Sequence, residues 1–367
     1  MEALAMKPDF WQKKRVLITG HTGFKGSWLA LWLRQLGAEL VGFALPPPTD
    51  PSLFELAKVG RAIHSLCGDI RQMEAFAKVI AEHQPEIIFH LAAQSLVRRS
   101  YREPIETYST NVMGTVHLLE AVRHTPSVRA VVVVTTDKCY ENLEQRRPFR
   151  ESDPLGGYDP YSSSKACAEI ATAAFRNSFF TTGNNSKVGI ASARAGNVIG
   201  GGDFAPDRLI PDLMRAVAAG KPACIRNPAS VRPWQHVLEP LGGYILLAER
   251  LLEDPIRFSS AWNFGPAQND AVPVSVVIDR LDRLWPGKFR WTQDQAAHPH
   301  EAGFLSLDCA KAESQLGWIP RWNLQQALVA TVDWYRAYVD GNDLRAVCEE
   351  QISVYQQAIT RTESAHS

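Results

Sequence analysis

No stretch of this sequence is apolar for long enough to cross a bilayer. The longest hydrophobic runs, such as Val131 to Val134, fall far short of the roughly 20 residues that a spanning helix needs. No secretory hydrophobic segment is recognisable, and the six cysteines (Cys67, Cys139, Cys167, Cys224, Cys309 and Cys348) include no C-x-x-C pair. A cytoplasmic protein with reduced thiols, no structural zinc and no metal centre is therefore expected. Neither sign of charge is in excess, with 39 Lys+Arg against 39 Asp+Glu. That balance excludes a basic field for nucleic acid or for an anionic membrane surface and favours a small ligand. Internal repeats are also absent.

The 367 residues, 45% of them hydrophobic, suffice for a large core and an appended lobe. Short buried strands alternate with helical patterns six times between Arg15 and Ala193, which predicts an α/β fold with a doubly wound, mostly parallel sheet. We expect residues 1–198 to form a dinucleotide-binding domain to which 237–265 returns. Residues 199–236 and 266–367 are expected to form a smaller C-terminal α/β lobe that takes the substrate. Phe10 and Trp11 are expected at the domain edge. Further expectations are a helix over 108–122, one over 213–219, a turn between short strands over 223–232, a polar loop over 181–187 and a frayed last dozen residues.

The first strand, Arg15 to Gly20, runs into Gly20-His21-Thr22-Gly23-Phe24-Lys25-Gly26 and then a helix. Glycines three residues apart let the backbone turn tightly and approach a pyrophosphate at a helix N-terminus, where free N–H groups favour negative charge. The acid that usually ends the second strand of such a fold is missing. Phe43, Ala44 and Leu45 stand there, with no arginine either, so the reading leans to NAD rather than NADP. Asp69, before the helix at Met73, either contacts adenine or caps that helix.

The densest chemistry follows the valine strand, at Thr135-Thr136-Asp137-Lys138, the kind of strand end where open α/β sheets bind ligands. Beyond a loop, Tyr161 and Lys165 open a helix and share a face one turn apart. A lysine there favours the phenolate and makes the tyrosine a general base toward an alcohol. Adjacent residues of a strand point to opposite sides, so Asp137 and Lys138 reach one substrate only if the chain turns. Otherwise they form a surface salt bridge. Arg208 and Arg232, in a loop-rich region, suit a diphosphate, which two guanidiniums match well.

Taken together, Thr19 to Gly26, His90 to Gln94, Thr136-Asp137-Lys138, Tyr161 to Lys165, Arg194 to Gly202, Arg208 to Pro211, Arg232-Pro233-Trp234 and Leu316 to Pro320 resemble the extended short-chain dehydrogenase/reductases. Within them they resemble the 4,6-dehydratases of nucleotide sugars. The lysine after Asp137 is similar to the CDP-glucose branch, whereas the dTDP-glucose branch carries Asp-Glu; it also occurs in some dehydratases of UDP-N-acetylhexosamines. The resemblance implies a Rossmann sheet, NAD and a CDP-glucose substrate, and the apolar helices near Val112 to Leu119 and Ala168 to Phe175 suggest a two-helix-per-subunit contact in a homodimer or dimer of dimers. It implies catalysis by Thr136, Asp137, Lys138, Tyr161 and Lys165. Dinucleotide contacts fall to Gly20, Thr22, Gly23, Phe24, Lys25, Gly26, Asp69, Ile70, Leu91, Ala92, Ala93 and Thr135, again with Tyr161 and Lys165. Gln94, Asn197, Arg208, Arg232 and His300 are the substrate candidates, His300 serving either as a contact or as loop scaffold. The implied reaction oxidises C4, removes the C5 proton and the C6 hydroxyl as water, and returns hydride to C6. Lys138 is the candidate base and Asp137 the candidate acid, or the reverse. The rival readings are a sugar-nucleotide epimerase and a non-catalytic dinucleotide sensor; the latter would have little use for the retained Thr136, Tyr161 and Lys165.

Overall fold

Seven short apolar runs pair into one sheet in the computed structural model, which describes residues 8–181, 187–296 and 302–364. They are β1 (Arg15–Thr19), β2 (Glu39–Ala44), β3 (His64–Cys67), β4 (Ile87–His90), β5 (Ala130–Val134), β6 (Gly189–Ala195) and β7 (Ala261–Phe264). Their spatial order is β7-β6-β5-β4-β1-β2-β3, and every pairing is parallel. Parallel strands need covered crossovers, so both faces are covered and the central strands are buried throughout.

The alternation of side chains divides the core in two. Val132 and Val134 of β5 join Val16, Ile18, Ile87 and Phe89 on one face, under the Phe24–Gln35 and Leu238–Glu253 helices. Val131 and Val133 join Leu17 and Ile88 on the other, under the Met73–His83 and Gly114–Arg123 helices. Trp11 is fully buried rather than at an edge, its indole N–H donating to Glu249 Oε1 at 2.6 Å. Residues 238–264 supply a covering helix and the edge strand β7. Among the described residues three two-stranded sheets lie outside the large one: Val198–Ile199 with Gln235–His236, Val231–Pro233 with Ala271–Pro273, and Ala223–Ile225 with Trp291–Gln293.

Several local expectations are corrected. The two strands within 223–232 pair with segments from the last third of the chain, not with each other; that partnership lies outside any local window. The helix placed at 108–122 begins at Pro104 and passes through a wide turn at Ser109–Met113. The helix over 213–219 starts at Leu209, because Pro211 sits in the first turn, where no N–H is needed. Of the last dozen residues, expected to fray, those up to Ser364 continue a helix over Leu344–Ser364, in which Leu344, Cys348, Ile352 and Tyr355 form one buried stripe, and 365–367 lie outside the described residues. Of the loop over 181–187, residues 182–186 lie outside the described residues. Leu118 and Leu119, in the stretch expected at a subunit contact, are spent on the sheet-face core, whereas Ile170 is 56% exposed. Among the described residues no helix is long and apolar enough to cross a membrane.

Helix Leu238–Glu253 can lie against β7 because Gly243 has no side chain: a Cβ there would stand 2.3 Å from Phe264 Cδ1. Gly243→Ala is expected to destabilise the protein by about 1–3 kcal/mol, measured as a lower urea midpoint with an unchanged m-value.

Candidate active site

The chain reverses its winding between β1 and β4, and the loops leaving those two strands open a cleft, as open α/β sheets do at a switch point. Gly20 turns there with φ +77°, its N–H donating to Phe43 O at 3.0 Å. A Cβ on Gly20 would lie 2.7 Å from Ala92 N, and one on Gly26 only 2.2 Å from Gly20 O. Backbone thus packs on backbone, and the N-terminus of the Phe24–Gln35 helix is left facing a cleft of about 410 Å³. A pyrophosphate fits such a cradle because the first helical N–H groups have no partners within the helix.

All the dinucleotide candidates border this cleft, from the glycine turn through Asp69, Ile70 and Leu91 to Ala93, Thr135, Tyr161 and Lys165. At the end of β2 it is bordered by Ala44, Leu45, Pro46 and Pro48, with no charged side chain. Asp69 does not cap the following helix, whose N-cap position is Gln72 without a side-chain bond. Its carboxylate accepts from the Arg71 N–H at 2.9 Å and pairs with the Arg71 guanidinium at 2.5 Å, and the hydrogen bonds to Arg71 hold that carboxyl below its ordinary range. Gln94 also borders this cleft instead of the neighbouring one expected for the substrate. Its amide is engaged internally, donating to Thr107 Oγ1 and Leu96 O and accepting from Leu96 N–H.

The second cleft, of about 330 Å³, opens at the tip of β5. Immediately after Thr136 the chain makes a 3₁₀ turn at Asp137–Cys139. That turn removes the strand alternation, and Thr136, Asp137, Lys138 and Tyr161 all line this cleft. Thr136 donates to Asp137 Oδ1 at 3.0 Å, and its hydroxyl lies beside Tyr161, where it favours the phenolate. Asp137 is 1% exposed, and its Oδ2 has no hydrogen-bond partner among the described residues. Asn197 and Arg232 line the same cleft, and Arg208 and Tyr161 border both. Arg232 donates to the carbonyls of Val231 and Gly303, and Arg208 pairs with Asp203 at 2.9 Å and donates to Ser95. His300 lies outside the described residues.

Burial dominates the electrostatics. It pushes the Tyr161 hydroxyl up to about 12, against the Thr136 hydrogen bond and the Arg208 guanidinium, which both favour the phenolate. Arg208 is thus a cation acting on Tyr161, and Lys165, one helical turn on, donates to Val134 O at 3.1 Å. Burial brings Lys165 down to about 8, with Glu169 and Cys139 supporting its charge. Lys25 falls to about 7 through burial, then through Arg208 and Lys165, with Asp137 and Asp203 opposing. Three cations and two carboxylates therefore meet where the clefts join.

Sequence reading missed two residues that build this region. Asn111, in the wide turn at Ser109–Met113, accepts from Gln94 N–H at 2.9 Å and donates to Gln94 O at 3.0 Å and Ser164 Oγ at 2.8 Å. Its signal was the one amide side chain in that helical stretch. Asp203, which anchors Arg208, lay in a glycine-rich loop and gave no signal beyond its charge.

Sheet order, glycine cradle and the Thr-Tyr-Lys group at the next strand tip define the class: a short-chain dehydrogenase/reductase of the extended, nucleotide-sugar-modifying type. The model of the family described as GDP-mannose 4,6 dehydratase matches residues 17–331, and the chain belongs to that family. The CDP-glucose 4,6-dehydratase of Salmonella typhimurium is 55% identical over 355 residues, 96% of this chain and 99% of the relative. The dTDP-glucose 4,6-dehydratase of Bacillus anthracis, solved in complex with NAD, superposes with a TM-score of 0.74 at 24% identity, covering 90% of this chain and 99% of that one. MoeE5, solved with UDP-glucose and NAD, gives a TM-score of 0.72 at 26% identity, covering 89% and 99%.

Because Gly26 has no room for a side chain, Gly26→Ala is expected to open the turn and weaken dinucleotide binding by at least about tenfold, or 1.4 kcal/mol. Calorimetric titration with NAD⁺ measures it, with circular dichroism to show that the fold persists.

Proposed function

We propose that this protein dehydrates CDP-D-glucose to CDP-4-dehydro-6-deoxy-D-glucose, losing one water with no net redox change. The observation that carries the proposal is the turn after β5, which puts Asp137 and Lys138 in one cleft with Thr136 and Tyr161. Beside NAD, oxidation at C4 calls on Thr136, Tyr161 and Lys165; elimination across C5 and C6 needs two more proton-handling groups. The 55% identity with the Salmonella enzyme supports CDP-glucose as the substrate.

The glycine cradle and the uncharged end of β2 suit NAD, which when bound supplies reversible hydride acceptance, from C4 and back to C6. Tyr161 takes the C4 hydroxyl proton, and Thr136, within hydrogen-bonding reach of it, supports the developing charge. The C4 carbonyl acidifies the C5 proton. Lys138 accepts that proton and returns one to C5 once hydride has reached C6, and Asp137, whose Oδ2 has no hydrogen-bond partner among the described residues, delivers one to the departing C6 hydroxyl. A lysine acting as base must be neutral and an aspartate acting as acid must be protonated when the elimination begins. Arg208, Arg232 and Asn197 form the diphosphate end of the cleft.

The reading is tested by supplying the enzyme and NAD⁺ with CDP-, dTDP-, UDP- and GDP-sugars in deuterated water and following product mass. Loss of water from CDP-glucose alone, with one deuterium retained at C5, is expected. Altered stereochemistry without water loss would make the protein an epimerase and leave Asp137 and Lys138 structural.

We also propose that the protein works in the cytoplasm as a homodimer or a dimer of dimers. The exposed Ile105, Tyr108 and Ile170 gather on neighbouring helices, at 84%, 38% and 56% exposure, and suit burial against a second copy. Sedimentation equilibrium should give at least twice the chain mass; a monomer sinks the idea.

A further inference from the structure

Beneath the strand tip lies an ion pair that touches neither cleft. Glu169 stands one helical turn beyond Lys165 on the Pro160–Phe179 helix and is 3% exposed. Its Oε1 accepts from Thr135 Oγ1 at 2.5 Å; its Oε2 accepts from Ser192 Oγ at 2.6 Å and Arg194 Nη2 at 2.8 Å. Arg194 also donates to Tyr140 OH at 2.8 Å, Tyr140 donates to Asn263 Oδ1 at 2.7 Å, and Asn263 donates to the carbonyls of Phe149 and Asp308. One buried network thus joins the helix carrying Tyr161 and Lys165 to β5, β6, β7 and the segment that follows Lys138.

Burying such a pair costs several kcal/mol per charge, and apolar residues of equal volume often stabilise a core as well or better. Packing alone therefore gives little reason for a carboxylate here. Its neighbours give one. Thr135 carries the backbone into Thr136, and Lys165 is the buried cation one turn before Glu169 on the same helix. We infer that Glu169 is a positioning residue for the proton-transfer pair, fixing the strand tip through Thr135 and holding Lys165 in its cationic form through its own charge. The inference rests on the reading of Tyr161 and Lys165 as that pair.

The groups that act on Lys165 come from every side. Glu169 on its own helix and Cys139 after β5 favour its charge; His90 of β4 and Lys25 of the Phe24–Gln35 helix also face it, and neither supports a positive charge there. Burial is the largest influence and brings Lys165 to about 8, so the lysine is cationic below that pH and loses its charge above it. Removing the Glu169 charge lowers the value further. Activity that needs the cation must then fail at lower pH.

The test compares kcat and KM across pH for the NAD-loaded wild type, Glu169→Gln and the double variant Glu169→Gln/Arg194→Gln, which leaves no unpaired buried charge if the single variant does not fold. The alkaline limb of kcat is expected to move down by about one pH unit, a tenfold change in proton affinity, with KM nearly unchanged. A folded variant whose kcat falls while its alkaline limb stays in place overturns the inference, because a purely structural role predicts that result. Lys165→Met separates the two readings. If it is inactive and the limb of Glu169→Gln has not moved, only the role of Glu169 falls; if it turns over normally, the catalytic pair itself is misassigned and the Glu169 role falls with it.

Discussion

The parallel pairing of β1 with β4 is the constraint on which the ligand edge depends. Val16 to Thr19 run in register with Ile87 to His90, and a hydrogen bond of 2.8 Å between Thr19 Oγ1 and His90 Nδ1 ties the two ends. That register brings the Gly20 turn against Ala92 with no space for a methyl group. From this contact follow the direction of the Phe24–Gln35 helix, the exposure of its N-terminus and the position of the first cleft. A side chain at Gly20 or Gly26 would push the helix from the sheet, so the glycines serve packing and ligand approach at once.

The second cleft depends on the same sheet one strand further along. β5 is apolar on both faces and therefore fixed, so the polar residues that follow it are delivered to one place. The 3₁₀ turn then does what an extended strand cannot, setting Asp137 and Lys138 beside Thr136. Tyr161 reaches the spot from a helix whose start is fixed by Pro160 in its first turn and by Asp159, which accepts from the Ser162 N–H at 3.0 Å. Low dielectric makes every charge here count. It weakens the cationic forms of Lys25 and Lys165 and raises the tyrosine hydroxyl, leaving a junction tuned by Arg208, Asp137, Asp203 and Glu169.

The order of elements, the glycine turn and the Tyr161–Lys165 spacing were legible because each depends on a short window: strand, turn and helix within a dozen residues, or one turn of a helix. By itself the sequence determined the α/β class, the parallel sheet and the residues gathered at its edge. Tertiary structure alone decided what those residues face. Asp69 meets Arg71 instead of capping a helix, and Gln94 spends its amide on Leu96 and Thr107. Arg208 acts on Tyr161 from a distant loop, and Glu169 reaches Thr135 and Arg194 across 34 and 25 residues of chain. Partners so distant are chosen by the fold, because a hydrogen bond or a Coulomb interaction depends on separation in space, which a local pattern of residue types does not encode.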